Sequence, residues 1–521
     1  MLSLILCLLY FGVLAGLSFY GLHRLHLVLL CWRHRARIVS AQEVTALTDH
    51  DLPRVTIQLP LFNESTVTAR LLEAVARMDY PADKLEIQVL DDSTDETQSL
   101  ARAKVQELRE RGVDAVYLHR VDRTGYKAGA LDAGLKVAKG ELVAVFDADF
   151  IPQPNFLRSI VGHFENPKVA MVQTRWGHLN REASILTKVQ AQMLDGHHLV
   201  ENRARFGAGL LFNFSGTGGI WRAEAIRKAG GWQHDTLTED LDLSYRAQLA
   251  GYKFVYREDV VSPAELPEDI SALRAQQYRW AKGTVQTARK LMSRVMRADL
   301  SRSQRIEAFF HLTPHFAYPL LVVLSVLLLP ALVLFPAADS VTMLAIDLPL
   351  CAATTGSLAA FYMLAESAQG RPRLGALLRL PMLIALGTGL APHLSKAVLE
   401  GCRQMAGEFV RTPKHGVNKG RYRVRTDLPL VETLLALISF AAVIASIETG
   451  HYIATPFATL FTLGYGYVAI LVAQEQASRR REAATSSEVW DGERASDPAD
   501  AAWSAQPAPN GSERRVGDLA A

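Results

Sequence analysis

Two long apolar regions flank a central region in which charged and apolar residues are mixed. Residues 1–32 are almost uncharged up to His23-Arg24, and residues 313–474 are dominated by Leu, Ala, Val and Ile. Residues 50–300 carry charges throughout, as a soluble domain with helices and strands does. This pattern predicts a soluble α/β domain inserted between membrane helices.

The first apolar region is predicted to be a membrane helix. It has no basic start, and its apolar length exceeds the roughly 7–15 residues of a signal-peptide core. Leu2 to Leu22 supplies the roughly 20 apolar residues that cross a bilayer. Arginines follow at positions 24, 33, 35 and 37, and the positive-inside rule places them in the cytosol. We therefore expect an outside N terminus and a cytosolic central domain.

The second apolar region is predicted to add four spans. Residues 313–336 and 342–364 form a predicted hairpin, and two segments within 428–474 form another. Residues 380–400 are also apolar, but their crossing would place the seven Lys and Arg residues of 401–427 outside. Because this would break the positive-inside rule, we expect that segment to lie at the membrane interface.

These patterns divide the chain into four regions with predicted bounds. Residues 1–32 form the first span, and residues 50–300 form the cytosolic domain. Residues 301–474 hold interface helices and the four later spans. The polar tail 475–521 is rich in Ala, Ser and Pro, which predicts a disordered cytosolic segment.

Strand patterns alternate with helix patterns in the central domain. Four buried strands are predicted in "RVTIQLPLFNE", "LEIQVLDDSTDET", "DAVYLHR" and "ELVAVFDADF". Helices are predicted between them at 66–78, 95–111 and 127–138. This alternation predicts a mostly parallel sheet with helices on both faces, in which ligands bind at the carboxyl ends of the strands.

Acidic pairs follow two of these strands. Asp91 and Asp92 end one strand, and Asp147 and Asp149 end another. An isolated Asp-x-Asp is more often a solvated turn, but here a buried strand fixes the turn and a second acidic strand end lies nearby. Two carboxylates at one point suit Mg²⁺ or Mn²⁺ and leave coordination positions for phosphate oxygens. We therefore expect a metal and diphosphate site at this edge.

Two predicted helix starts carry further candidates. Lys127 opens a helix just after a glycine, where it is either a surface lysine or a cation that faces a diphosphate. Thr238-Glu239-Asp240 begin an amphipathic helix. These residue types favour helix starts as capping groups, and a carboxylate held there also has a defined position for chemistry.

Two other stretches favour ligand contact. The run "LLFNFSGTGGIWR" at 210–222 is either a tight loop or a place where backbone approaches a ligand closely. In "QQYRW" at 276–280, Gln276, Arg279 and Trp280 share one helix face. Donor groups beside an aromatic plate are suited to a phosphate beside a sugar.

Composition excludes some functions. The net charge of +3 in 521 residues is too small to indicate nucleic-acid binding. The four cysteines lie far apart, without a CxxC pair or metal-binding spacing, so we interpret them as reduced thiols.

Taken in order, these motifs resemble the processive, inverting family 2 glycosyltransferases, the group that contains cellulose, chitin and hyaluronan synthases. DDS (91–93), DAD (147–149), TED (238–240) and QQYRW, which fits QxxRW, are followed by membrane helices. The closest resemblance is to the cellulose-synthase-like type A proteins, which make β-1,4-mannan or glucomannan, and to their bacterial relatives. "EFVRTPKHG" also looks like the start of their gating loop, here 408–420.

The resemblance implies a GT-A (Rossmann-like) catalytic domain and a role for each matched residue. Asp91 and Asp92 would contact the nucleotide. Asp240 would be the general base, beside Glu239 and Thr238, and Trp280 would stack on the acceptor sugar. The other implied contacts are Asp147 and Asp149 to the metal, Lys127, Asp147, Gln276, Arg279, Thr412 and Lys414 to the nucleotide or its diphosphate, and Ser215, Gly216 and Thr217 to the acceptor.

The implied reaction is inverting transfer from a nucleotide sugar, with Mg²⁺ or Mn²⁺, onto a growing β-glycan that leaves through the membrane. GDP-mannose and UDP-glucose both remain open as donors, as do linkage, export partners and oligomeric state. One alternative is single transfer to a lipid such as ceramide or polyprenyl phosphate, and another is a non-catalytic scaffold or transporter. The expected location is a bacterial inner or plasma membrane, or a Golgi-type membrane.

Overall fold

A computed structural model describes residues 2–40, 46–335, 349–407 and 428–496 of the chain. Its centre is a seven-stranded sheet in the order β3-β2-β1-β4-β6-β5-β7. The strands are β1 (Val55–Leu61), β2 (Leu85–Asp91), β3 (Ala115–His119), β4 (Leu142–Val145), β5 (Val169–His178), β6 (Gly219–Arg222) and β7 (Lys253–Ala264). Since β1 pairs in parallel with both β2 and β4, the ends of β1, β2 and β4 meet at one edge.

Helices cover the sheet and continue into the apolar regions. Those before and within the domain are α1 (Leu2–Arg33), α2 (Arg35–Ser40), α3 (Ser65–Ala76), α4 (Thr97–Glu110), α5 (Tyr126–Val137), α6 (Phe156–Ile160), α7 (Ile185–Gly196), α8 (Arg203–Ala208), α9 (Ala223–Lys228), α10 (Glu239–Leu249) and α11 (Ile270–Arg297). Those after it are α12 (Arg302–Leu312), α13 (Ala317–Leu334), α14 (Ser357–Ala368), α15 (Arg373–Arg403), α16 (Leu430–Glu448) and α17 (Thr455–Ser496).

The first half of the domain has the predicted elements. All four predicted strands are present as β1 to β4, and the three predicted helices correspond to α3, α4 and α5. Two cores lie on opposite faces of the sheet, one containing Ile57 and Val89 and the other Leu131 and Val143. Close packing of α5 on the sheet depends on Gly134, because a Cβ there would lie 2.6 Å from the Nε2 atom of Gln58.

Three strands were not predicted. The antiparallel strand β6 lies inside the small-residue run 210–222, and it pairs with both β4 and β5. Strands β5 and β7 pair in parallel and extend the sheet on the far side of β6. The sheet is therefore mostly parallel, as predicted, with one antiparallel strand in its middle.

Within the described residues, five helices are long and apolar enough to cross a membrane: Leu4–Arg33, Pro314–Leu334, Arg373–Arg403, Leu430–Glu448 and Thr455–Ser478. Four of them coincide with predicted spans. Arg373–Arg403, in which the interface segment was predicted, also meets the length and composition criteria, and half of its most apolar stretch is buried. The predicted span 342–364 lies partly outside the described residues, so the number and order of spans stay predictions.

The helix that carries QQYRW joins the domain to the apolar helices. On α11, Lys282 forms an ion pair with Glu400 of α15 at 2.9 Å, and Arg274 forms one with Glu432 of α16 at 3.0 Å. The backbones of α11 and α15 also approach closely, because a Cβ on Gly401 would lie 2.9 Å from the carbonyl oxygen of Lys282. Residues 276–280 therefore lie where the domain built on the sheet meets the apolar helices.

Candidate active site

One cleft at the carboxyl edge of the sheet collects most of the candidate residues. Its empty space is about 1230 Å³, counted to its open mouth. The predicted residues that line it are Asp92, Lys127, Asp147, Asp149, Ser215, Gly216, Thr238, Glu239, Asp240, Gln276, Arg279 and Trp280. Motifs that are separated by up to 190 residues in sequence thus face one space.

Asp147 is held at the end of β4 by the loop that follows α8. The backbone N–H of Asp147 donates a hydrogen bond of 2.9 Å to the hydroxyl of Thr217. The Nζ atom of Lys127 donates to the Oδ1 atom of Asp147 at 2.5 Å and to the carbonyl oxygen of Gly216 at 2.9 Å. Burial lowers the pKa of Lys127, but the carboxylates of Asp147 and Glu239 outweigh it and leave that pKa raised. Lys127 is therefore a fixed cation beside the predicted metal site.

The two acidic positions at the end of β2 differ in their surroundings. Asp92 lies in the cleft wall and forms a two-point ion pair with the guanidinium of Arg120, at 2.8 and 2.6 Å. Asp91 is fully buried and accepts hydrogen bonds from the hydroxyl of Tyr117 at 2.6 Å and the backbone N–H of Ser93 at 3.0 Å. Asp91 thus supports the strand end, and its contact with a nucleotide stays a prediction.

The carboxylate of Asp240 lies in the first turn of α10. Its Oδ1 atom accepts a hydrogen bond of 2.8 Å from the backbone N–H of Leu241. Gly216 has φ of 84°, and a Cβ there would lie 3.0 Å from the Oδ2 atom of Asp240, so backbone closes tightly around this carboxylate. Burial, and then the neighbouring charge of Glu239, raises the pKa of Asp240 to about 7.

Thr238 takes the N-cap position of α10 without capping it through its side chain. Its hydroxyl lies 3.2 Å from the hydroxyl of Thr287 on α11. The sequence allowed Thr238 to be a helix cap and also a member of the catalytic set beside Asp240. Its side chain packs against α11 and does not cap α10, so Thr238 ties the turn that carries Asp240 to the neighbouring helix, and its catalytic role stays a prediction.

Arg279 reaches the acidic part of the cleft from α11. Burial lowers the pKa of this guanidinium, while the charges of Glu239, Asp147 and Asp240 act in the opposite direction. Glu64 adds a smaller effect of the same sign. An Arg surrounded by carboxylates in a cleft is placed to meet a phosphate that arrives with a metal.

Several cleft residues were missed from the sequence. Glu64 and Phe62 follow the end of β1 within three residues, as the acidic residues lie at or just after the ends of β2 and β4. The strand-end rule that found those pairs would also have indicated Glu64. Trp176 and His178 project from β5 into the cleft and were missed because β5 itself was not predicted. They add an aromatic wall on the side of the cleft away from Asp92.

Three other predicted contact residues are not among those that line the cleft in the described part of the chain. Thr217 is fully buried, and its hydroxyl is engaged with Asp147, so it supports the loop between Ser215 and β6. Thr412 and Lys414 lie outside the described residues, as does the predicted gating loop 408–420.

The fold and the site define a glycosyltransferase of the GT-A type, in which strand-end carboxylates and a helix-borne carboxylate share one cleft. A model of the family described as "Glycosyltransferase like family 2" matches residues 53–283, a range that contains all four motifs. The predicted GT-A fold is confirmed.

Similar proteins place the chain in a smaller group within this family. Glucomannan 4-beta-mannosyltransferase 1 of Oryza sativa subsp. japonica is 34% identical over 450 residues, which are 81% of this chain and 84% of that protein. Glucomannan 4-beta-mannosyltransferase 2 of Arabidopsis thaliana is 41% identical over 279 residues, about half of each chain. The chain belongs to glycosyltransferase family 2, in the cellulose-synthase-like group that contains these proteins, as predicted.

Among solved structures, the chain resembles a mannosyltransferase from Pyrobaculum calidifontis determined in complex with GDP-Man and Mn²⁺. The two chains are 21% identical, with a TM-score of 0.49, and the match covers 68% of this chain and 97% of the other.

Proposed function

We propose that this chain is a processive inverting synthase that transfers mannose from GDP-mannose to the end of a growing β-1,4-linked glycan. Transfer of glucose from UDP-glucose is the alternative donor reaction. The similarity to glucomannan 4-beta-mannosyltransferases supports the mannosyl donor. The observation that carries the reaction type is the placement of the carboxylate of Asp240 in one cleft with Lys127, Asp147 and Arg279.

The cleft residues divide into two sets, one for the leaving diphosphate and one for the attacking hydroxyl. Lys127 and Arg279 supply positive charge where the diphosphate gains negative charge as the glycosidic bond breaks. Asp240 takes the proton from the acceptor hydroxyl as that oxygen attacks the anomeric carbon. Attack from the face opposite the leaving group turns an α-linked donor into a β-linked product.

The donor set at the end of β4 fits a divalent cation. Asp147 and Asp149 supply hard carboxylate oxygens to the cleft, and phosphate oxygens and water would complete the coordination. A bound Mg²⁺ or Mn²⁺ would neutralise charge on the diphosphate oxygens. Lys127 already donates a hydrogen bond to Asp147, so a cation bound there would have to share that carboxylate with the lysine. We infer that Lys127 shifts toward the diphosphate when a metal binds.

Trp280 lies on the same helix face as Arg279 and gives the acceptor sugar a flat surface beside the diphosphate. The cleft lies next to the contact between α11 and the apolar helix α15, through the ion pair of Lys282 with Glu400. This proximity supports a product that enters the membrane part as it grows. We accordingly place the catalytic domain on the cytosolic side, where nucleotide sugars are made.

Thermal stabilisation of the purified protein tests the donor. With Mn²⁺ present, we expect GDP to raise the unfolding temperature at lower concentrations than UDP does. A nucleotide concentration of one hundred times Kd corresponds to about 2.7 kcal/mol of stabilisation. Stronger stabilisation by UDP would contradict the mannosyl donor.

A second assay separates polymer from lipid transfer: membranes are incubated with radiolabelled donor, and ethanol-insoluble glycan is compared with label extracted into chloroform.

The metal site predicts that Asp149→Asn weakens metal-dependent nucleotide binding. Loss of one of two carboxylates should raise the Mn²⁺ concentration needed for nucleotide stabilisation by about tenfold or more, which corresponds to roughly 1.4 kcal/mol. The measurement is the GDP-induced rise in unfolding temperature across a Mn²⁺ titration. The matched control is Asp49→Asn, because Asp49 is an exposed carboxylate paired with Arg158 outside the cleft. Equal Mn²⁺ dependence in the two variants would contradict the site.

A further inference from the structure

Helix α11 contacts the catalytic turn at several points. Gly283 lies against Thr238, since a Cβ there would be 2.6 Å from the Cγ2 atom of Thr238 and 2.9 Å from its backbone nitrogen. Two helical turns later, the ammonium of Lys290 donates to Asp235 at 2.7 Å and lies 2.9 Å from Asp242. The turn that carries Asp240 is therefore held on both sides by one helix.

Gln286 contacts this turn and a second segment with one side-chain amide. It is fully buried, and its Oε1 atom accepts a hydrogen bond of 2.9 Å from the backbone N–H of Leu237. Its Nε2 atom donates to the carbonyl oxygens of Gln404 at 3.0 Å and Ala406 at 2.6 Å. The backbone N–H of Ala406 in turn donates to the carbonyl oxygen of Asp235 at 2.9 Å.

The second segment is the short stretch 404–407 that follows α15. Ala406 has φ of 59°, a left-handed conformation that a residue with a Cβ adopts at a cost. Such a conformation persists where contacts hold it, and the bonds to Gln286 and Asp235 are such contacts. The stretch and the catalytic turn therefore hold each other in place through Gln286.

We infer that Gln286 is a positioning residue for the proposed base, Asp240. Its Nε2 atom holds the carbonyl groups of residues 404 and 406, and its Oε1 atom holds the backbone N–H of Leu237, three residues before Asp240. Loss of the amide leaves a buried N–H and two carbonyl groups without this partner, so the turn relaxes. A base displaced by about 1 Å loses up to 10²-fold in rate, because proton transfer requires hydrogen-bond distance. The inference rests on the proposed function in taking Asp240 as the base.

The test compares Gln286→Met with Arg289→Met in the full-length purified chain. Arg289 is one turn along the same helix and bonds to α15 itself, through the carbonyl oxygen of Gly401 at 2.9 Å. It lies away from the catalytic turn, so it controls for the helix contact alone. Turnover is read as released nucleoside diphosphate, which counts every transfer whatever the acceptor. Product analysis then tests polymer formation separately.

We expect Gln286→Met to lower kcat by about 10- to 100-fold with the donor KM changed less than about threefold. Arg289→Met should keep kcat within about threefold of the unmodified chain. Gln286→Glu retains an acceptor for Leu237 but sets a carboxylate oxygen against the carbonyl oxygens of Gln404 and Ala406, so its kcat should fall at least as far, and it serves if the Met variant does not fold. Equal kcat in the Gln286 and Arg289 variants, or a change confined to donor KM, would overturn the inference.

Discussion

Asp240→Asn is expected to abolish sugar transfer while nucleotide binding survives. The substitution keeps the shape and the hydrogen bond from Leu241 but removes the group that accepts the acceptor proton. General-base catalysis contributes about 10²–10⁴-fold, so kcat should fall by that factor. GDP-dependent thermal stabilisation with Mn²⁺ should remain, because Asp147, Asp149 and Lys127 are untouched. The assay is nucleotide release alongside incorporation of labelled sugar.

The raised pKa of Asp240 gives this prediction an internal control. Since that pKa is about 7, kcat/KM of the unmodified chain should fall as the pH drops below about 7. The folded pKa lies above the usual value of 3.8, so the native state binds the extra proton between these values. The contribution of Asp240 to the free energy of unfolding therefore falls as the pH rises from about 4 to 7.

Asn has no proton to lose in this pH range, so the variant is free of this loss of stability. The variant should unfold at a higher temperature than the unmodified chain at pH 8 and should gain nothing at pH 4. An inactive variant that is more stable at pH 8 excludes unfolding as the cause of inactivity. Normal polymer synthesis by Asp240→Asn would assign the base elsewhere, and Glu239→Gln would then be the next variant to measure.

The acidic pairs of the site could be predicted because a strand end determines where they lie. A buried strand followed by acidic residues has only one edge at which to present them, so Asp147 and Asp149 were predicted from local pattern. The same rule found Asp92 and Asp91 as a pair, yet it did not distinguish their surroundings. That difference comes from Arg120 and Tyr117, which approach from outside the motif.

The parts that sequence reasoning missed depend on contacts between distant segments. Strand β7 has charged residues within it, at Glu258 and Asp259, so its pattern is unlike that of a buried strand. Without β5 and β7 the cleft lacks the wall formed by Trp176 and His178. The hydroxyl of Thr238 pairs with Thr287, a contact between residues 49 positions apart that no helix-start rule contains.

Helix α11 carries the proposed diphosphate and acceptor contacts and also packs against the turn that carries Asp240. Its cleft-facing residues Gln276, Arg279 and Trp280 come from one motif. Its Gly283 and Gln286 contact the residues just before Asp240. A helix of 28 residues packed on the domain and on α15 is a rigid support for such a joint. A charge change on its cleft face should therefore act on chemistry more than on folding.

Arg279→Lys is expected to lower kcat by about 10²–10³-fold, the loss seen when one preorganised donor to a developing oxyanion is removed. Lysine retains the charge but presents a single flexible ammonium in place of the planar, multi-donor guanidinium, so it should not rescue the rate. Because lysine keeps the positive charge near Asp240 and Glu239, the pKa of Asp240 should stay close to its value in the unmodified chain. The acid limb of kcat/KM should then stay in place while the rate falls, which a pH series of nucleotide release measures.

Arg274→Met is the matched control for this last variant. Arg274 lies on the same helix and is also buried, but its ion pair is with Glu432 of α16 at 3.0 Å, away from the cleft residues. Breaking that buried pair should destabilise the chain by about 3–5 kcal/mol while kcat per folded molecule stays unchanged. Arg279→Lys should give the opposite result, with a small change in stability and a large loss of kcat. If the Lys variant kept full turnover, diphosphate stabilisation would rest on Lys127 and the metal, and the assignment of Arg279 would be wrong.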